Sequence, residues 1–176
     1  MLRNLLFGKF PRKLTVVPPE PERLHQCLER LGALRASVYL YREERFFLSA
    51  IQDFNEYLEP LELPADVDDA TLGEALIDRL RAFDPVSPVK AGGMKDWRVL
   101  QVSKARSGRA FNAQALFVYV ESVNAALIFR ACPRDSRHAP LYAGIDLGVG
   151  ATPAQMGATI RTLLQAVRDL RAAGAF

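Results

Sequence analysis

The sequence predicts an α+β fold, a central and mostly antiparallel sheet packed with amphipathic helices, layered as a single domain over residues 1–176. Three observations carry this expectation. Apolar runs of strand length come in pairs joined by polar turn residues, as antiparallel hairpins do. Helical periodicities are interspersed among those pairs, which is the pattern of sheet-and-helix layers. Two stretches also read alike, Asp68-Asp-Ala-Thr-Leu-Gly-Glu-Ala-Leu-Ile-Asp-Arg-Leu80 and Thr152-Pro-Ala-Gln-Met-Gly-Ala-Thr-Ile-Arg-Thr-Leu-Leu164. Each sets a cap residue before a helix with one early glycine. Aligning Gly73 with Gly157 matches Leu72 to Met156, Leu76 to Ile160 and Leu80 to Leu164. Glycine inside a helix costs roughly 1 kcal/mol relative to alanine, so two such placements need a reason. Three- and seven-residue spacing puts each glycine on the apolar face of its helix. The expectation is that each glycine lets its helix lie tight against a sheet.

The elements follow in order. Residues 1–32 form an N-terminal extension, with a short strand at Leu14–Val17 closed by Pro18-Pro19 and a helix from Glu20 to Leu31. In that helix Leu24, Cys27, Leu28 and Leu31 recur at i, i+3, i+4 and i+7, and Gly32 is the natural stop. Ser37–Tyr41 and Arg45–Ser49 flank Arg42-Glu-Glu44 as a hairpin. Glu56–Leu63 alternates acids with apolar residues and reads as an edge strand, because Pro60 removes one ladder donor. The first glycine-bearing helix runs from Asp69 to Phe83, capped by Asp68. Residues 84–96, rich in Pro and Gly, form an internal loop. Trp97–Val102 reads as a strand and Lys104–Asn112 as an exposed basic loop. Ala115–Val120 and Ala125–Phe129 are the clearest strands, nearly continuous apolar runs that predict a sheet covered on both faces. Pro133–Pro140 is a charged loop and Gly144–Leu147 a last short strand. Thr152 caps the terminal helix, with Pro153 at its first position and Gln155 completing a capping box. Met156, Ile160, Leu163, Leu164, Val167 and Leu170 form its buried stripe.

Composition narrows the class. A chain of 176 residues with 49% apolar content can bury one substantial core. Cys27 and Cys132 stand far apart without Cys-x-x-Cys spacing and read as core thiols, which favours a reducing cytoplasm. No apolar run approaches the ~20 residues needed to span a bilayer, and the basic N-terminus has no secretory cleavage pattern. Net charge is +3, but it is segregated. Between Arg45 and Arg79 lie Asp53, Glu56, Glu59, Glu62, Asp66, Asp68, Asp69, Glu74 and Asp78 without one Lys or Arg, which leaves the rest of the chain at +12. The middle is basic in turn, with Lys90, Lys95, Arg98, Lys104, Arg106 and Arg109. Such a one-sided block is either a solvated face or a surface that steers an oppositely charged partner.

The search for chemistry returns little. His25 borders an apolar helical stripe and reads as structural. His138, in Arg134-Asp-Ser-Arg-His138, is the one side chain a nuclease-like enzyme could use as a base, with arginines on phosphate. No metal spacing is present, since there is no His-x-x-x-His, and Asp66, Asp68 and Asp69 lack the glycine and glutamate of a calcium loop. Gly148-Val-Gly150 lacks both a full glycine fingerprint and a Walker lysine, so no cofactor is expected. The basic 90–109 segment with Trp97, followed by Phe111, has the residue types of a nucleic-acid module, cations for phosphate and aromatics for stacking. The acidic window opposes that reading.

The order of Tyr39/Tyr41 strands, Tyr57-Leu-Glu-Pro60, the Leu72-Gly-Glu-Ala-Leu76 helix, the Trp97 segment, a basic stretch ending in an apolar hairpin and the Met156-Gly-Ala-Thr-Ile-Arg161 helix resembles a known family. That family is the immunity proteins of bacterial contact-dependent growth inhibition systems, and the resemblance covers residues 38–167. It implies a non-enzymatic cytoplasmic inhibitor. Such a protein binds the C-terminal toxin domain of a large exported effector, often a nuclease, and occludes its active site. On that reading the partner is the cognate toxin domain, with no direct nucleic-acid or membrane contact, and the candidate toxin-binding residues are Asp53, Glu56, Glu59, Glu62 and Asp66. Carboxylates on an edge strand would give fast, salt-dependent capture of toxin Lys and Arg. The basic Lys104–Arg109 loop is the alternative contact.

Overall fold

β1 (Arg35–Tyr41) and β2 (Arg45–Gln52) form the hairpin expected from their apolar runs. Arg42 and Glu43 both take the left-handed conformation in the tight turn between them, at φ 54° and 60°, the geometry whose twist matches that of the flanking strands. The computed structural model describes residues 34–52, 55–82, 97–123, 126–131, 143–148 and 150–174. The expected N-terminal strand and helix, the 84–96 loop, both histidines, both cysteines and Asp53 lie outside the described residues. β3 (Asn55–Pro64) pairs with β2 and is an edge strand. α1 (Asp69–Arg81) follows, with Asp68 accepting from the Thr71 backbone N–H at 2.9 Å and from the Thr71 hydroxyl at 2.7 Å.

Two expectations fail in the next stretch. Trp97–Val102 is not a strand but the N-cap and body of α2 (Arg98–Ser103). A six-residue segment with four apolar positions, Trp97, Val99, Leu100 and Val102, satisfies either period, and the aromatic face of Tyr39, Tyr41 and Phe47 gives those side chains a surface to pack on as a helix. Lys104–Asn112 is not wholly a loop. It contains the start of α3 (Gly108–Gln114), N-capped by Ser107, whose hydroxyl accepts from the Ala110 N–H at 3.1 Å. Phe111 on α3 is 0% exposed. The cations between and along these helices do stay outside: Arg98, Lys104, Arg106 and Arg109 are exposed.

β4 (Ala115–Val123), β5 (Ala126–Ala131) and β6 (Ala143–Gly148) complete the sheet, and α4 (Pro153–Ala172) closes the fold. The capping box is formed, with the Gln155 N–H donating to the Thr152 hydroxyl at 3.3 Å and the Thr152 N–H to Gln155 Oε1 at 2.8 Å. Met156, Ile160, Leu163, Leu164 and Val167 are buried, and Leu170 is only partly so. All neighbouring strands are antiparallel, in the order β3-β2-β1-β4-β5-β6. This order is symmetric about the β1/β4 pair, where Val38 stands opposite Val118. The glycine-helix likeness is thus one part of a larger duplication: each half is a three-stranded meander followed by a long helix, β1-β2-β3-α1 and β4-β5-β6-α4.

The sheet has two unlike faces. On one, Ala36, Val38, Leu40, Phe46, Leu48, Leu116, Val118, Val120, Leu127 and Phe129 meet the apolar stripes of α1 and α4 in the main core. On the other, Tyr39, Tyr41, Phe47 and Ala115 take up Val99 of α2 and Phe111 of α3. β1 and β2 are therefore buried on both faces. β4 and β5, expected to be covered on both, instead alternate buried with part-exposed residues, because α2 and α3 sit over the other end of the sheet.

The glycines have a different neighbour from the one expected. A Cβ on Gly73 would lie 1.8 Å from the Pro153 carbonyl oxygen, and one on Gly157 would lie 2.0 Å from that of Asp69. The close approach is of helix to helix, not helix to sheet: α1 and α4 cross at reciprocal positions, the glycine of each against the first turn of the other. Arg161 binds the same junction. Its Nε donates to Asp69 at 2.7 Å, Nη1 to the Ala65 carbonyl at 2.9 Å and Nη2 to the Val67 carbonyl, and its guanidinium lies 5.3 Å from the centre of the Phe46 ring.

Candidate functional site

β3 carries most of the residues singled out from the sequence, and the structure separates them into two groups. Glu56 points inward onto the α2 side of the sheet. Its carboxylate accepts from the Ser37 hydroxyl at 2.6 Å, from the Tyr39 hydroxyl and from the Trp97 indole N–H. It does not project outward alongside Glu59 and Glu62. It is a part-buried clasp that ties the start of α2 to β1, the central strand. Three donors occupy both of its oxygens, and removing it would take an acceptor from the Ser37 and Tyr39 hydroxyls, both 0% exposed.

Glu59, Glu62 and Asp66 are exposed. Glu62 pairs with Arg45 across the hairpin at 2.8 Å, both side chains well solvated, so the pair contributes little to stability. Asp66 lies in the turn before α1, and the acidic surface continues along that helix through exposed Glu74 and Asp78. Arg79 of α1 donates from Nη1 to the Glu59 carbonyl at 3.2 Å, which brings the end of the helix beside β3. The result is an acidic edge to the sheet, with Glu62 opposite Phe47 on the α2 side and Glu74 and Asp78 carried by α1 on the main-core side. Asp68 belongs to it only by sequence. Hydrogen bonds from the Thr71 backbone, and then from its side chain, hold the Asp68 carboxyl below its usual range, as a helix cap requires.

Between these groups the strand is distorted. Leu48 pairs with Leu61 but Ala50 pairs with Tyr57, so Leu58, Glu59 and Pro60 together oppose Ser49 alone. Leu58 stands in this bulge at φ 64° and is 50% exposed. A left-handed leucine costs on the order of 1–3 kcal/mol and persists only where the surroundings over-determine it. Here they do: Glu56 is clasped on one side of the bulge and the Glu59 carbonyl is held by Arg79 on the other. Sequence reasoning passed over Leu58. The signal was there in the parity of the strand, since Leu58 falls in register with Glu56, Pro60 and Glu62 while Glu59 falls among Tyr57, Leu61 and Leu63.

On the opposite side of the sheet, Trp97 and Phe111 were the aromatics expected of a base-stacking surface. Their rings meet each other edge-on, centroids 5.0 Å apart, and Phe111 stacks on Tyr41 at 5.0 Å. Trp97 also meets Tyr39 edge-on at 6.1 Å. These faces are used inside the protein, and what α2 and α3 offer to solvent is cationic. Further along that face, burial raises the Tyr119 hydroxyl above its ordinary range, reinforced by the charge of Glu121, which pairs with Arg35 at 2.8 Å. Among the described residues no group of three or more His, Cys, Asp or Glu is placed to hold a metal ion, and no helix is long and apolar enough to cross a membrane.

No family model matches the sequence, and no curated protein does. Solved structures do share its fold. A protein of unknown function from Neisseria meningitidis, NMB0488, matches with a TM-score of 0.57 at 17% identity, over 76% of this chain and 94% of that one. A chain of the CdiA-CT/CdiI toxin and immunity complex from Yersinia pseudotuberculosis matches with a TM-score of 0.53 at 14% identity, over 76% of this chain and 96% of that one. At these identities the likeness is one of fold.

Proposed function

We propose that this protein is an immunity protein: it binds the C-terminal toxin domain of a contact-dependent growth inhibition effector in the cytoplasm and covers its active site, with no turnover of its own. The observation that carries the reading is the acidic edge of the sheet, with Glu59, Glu62 and Asp66 exposed on and just after the edge strand β3, continued by Glu74 and Asp78 on α1. A nuclease toxin binds its substrate in a cationic cleft, and a preformed carboxylate surface competes for that cleft with fast, ionic-strength-dependent association. The shared fold with a chain of a toxin and immunity complex supports the same reading. Of the residues picked from sequence, Glu59, Glu62 and Asp66 remain the proposed contacts. Glu56 is set aside because its carboxylate is occupied, and Asp53 lies outside the described residues.

The test is to look for a toxin reading frame immediately upstream of this gene and to co-express its toxin domain with this protein. Growth is restored if the reading holds, and failure to restore it removes the reading. With the purified pair, reversing Glu59, Glu62 and Asp66 to Lys slows association by roughly 10-fold or more at low salt and flattens its salt dependence. Unchanged kinetics would transfer the contact to the cationic surface of α2 and α3.

A further inference from the structure

We infer that Leu58 is the apolar anchor of this docking surface, and that the partner's contact face is an apolar recess rimmed by Lys and Arg. The inference rests on the proposed function and adds to it the residue that governs how long the complex lasts. Three features of the edge strand lead to it. Leu58 is the exposed large hydrophobic side chain of the described residues. It is held outward by a strained backbone, φ 64°, within a bulge of the edge strand, and that bulge is fastened from both sides, by Glu56 to Trp97 and by Arg79 to the Glu59 carbonyl. Exposed single leucines are common and need no explanation, but a leucine held out in a conformation that favours glycine does.

Charge supplies the partner's chemistry. Glu59, next to Leu58 in the bulge, is exposed, and exposed Glu62 and Asp66 follow along the strand and in the turn after it, so the surface that seats the leucine carries cations at its rim. The arrangement is that of an interface core with a polar rim, in which one desolvated apolar side chain controls dissociation while the charges control encounter. The bulge and Pro60 also interrupt the outer edge of β3, which discourages extension of the sheet by a partner strand. Contact through side chains is what this edge is shaped for.

The two roles separate in kinetics. Leu58→Gly and Leu58→Asn both remove the apolar group while remaining compatible with a positive φ. Binding is measured by surface-immobilised kinetics against the neighbouring toxin domain made catalytically inactive, with unfolding midpoints recorded in parallel. The expected result is at least about 10-fold faster dissociation for both variants, association within about 2-fold of wild type, and unfolding midpoints unchanged or raised for Leu58→Gly. The Glu59→Lys/Glu62→Lys pair should show the reverse pattern, slowed association with lesser change in dissociation. Wild-type binding with dissociation of both Leu58 variants within 2-fold of it overturns the anchor and leaves the proposed function standing. Absence of wild-type binding overturns both.

Discussion

Substituting Gly157 by Ala opposes two well-known tendencies. In a helix free of neighbours the change stabilises by roughly 1 kcal/mol through propensity, and burying one more methyl group adds about 0.8 kcal/mol. In α4 the new Cβ would sit 2.0 Å from the Asp69 carbonyl oxygen, which is backbone and cannot swing away. Restoring ordinary contact requires α1 and α4 to part by about 1.5 Å, and a gap of that size forfeits much of the dispersion energy along their whole contact. Overpacking of well-filled sites costs about 1–3 kcal/mol, and more where rigid groups collide. The clash therefore outweighs the gains, and Gly157→Ala destabilises by about 2 kcal/mol or more. Gly73→Ala, with its Cβ 1.8 Å from the Pro153 oxygen, behaves alike. Because one separation of the helices relieves both clashes, the double variant loses less than the two single losses added, by about 1 kcal/mol or more. Equilibrium urea unfolding, followed by circular dichroism and the fluorescence of Trp97, the sole tryptophan, measures all three. Wild-type or higher stability for Gly157→Ala, or strict additivity in the pair, would refute the reciprocal crossing.

Three further outcomes follow from the geometry. Glu56→Ala takes an acceptor from the Ser37 and Tyr39 hydroxyls; it costs about 3 kcal/mol and shifts Trp97 emission to the red as α2 loosens, whereas an unshifted spectrum would mean that the clasp does not hold the helix. Arg161→Lys keeps the charge but cannot reach Asp69 and the two carbonyls with one ammonium; at this part-exposed site the loss is about 1–2 kcal/mol in urea, and a midpoint equal to wild type would count against the staple. The Asp68 cap has a carboxyl held below its ordinary range when folded, by hydrogen bonds from the Thr71 backbone and side chain, so its contribution is present above the unfolded value and fades as pH falls through the folded one. Asp68→Asn should therefore differ from wild type near neutral pH and converge with it in acid, and a difference independent of pH would contradict the assignment.

Much of the fold was legible because its signals are local. The Phe46–Leu48 and Val118–Val120 runs have the strand period, Asp68 and Thr152 with Gln155 are caps readable from three residues, and Pro60 marks an edge. What was missed depends on partners distant in sequence. Residues 97–102 carry four apolar positions in a segment too short for its period to decide, and only the aromatic face made by Tyr39, Tyr41 and Phe47 selects a helix. Ser107 is a sound N-cap, yet the neighbouring cations masked the helix it starts and the burial of Phe111. The glycine pair was correctly seen as a sign of close approach, but spacing cannot say what approaches. Among the site residues, charge and edge position placed Glu59, Glu62 and Asp66 on the surface, whereas the inward turn of Glu56 follows from a bulge and from hydroxyls contributed by another strand.

The near-palindromic order of the sheet has a consequence for assembly. The seam where β1 meets β4 joins two versions of one unit, so the edge that each half offers the other is also an edge it could offer to the matching half of a second molecule. Tethering in one chain resolves that competition, since it keeps the correct mate at an effective concentration in the millimolar range. Dimers made by exchanging halves are then the natural by-product of refolding at high concentration, and the glycine crossing, which admits no side chain in either helix, sets how faithfully the exchanged seam can be rebuilt.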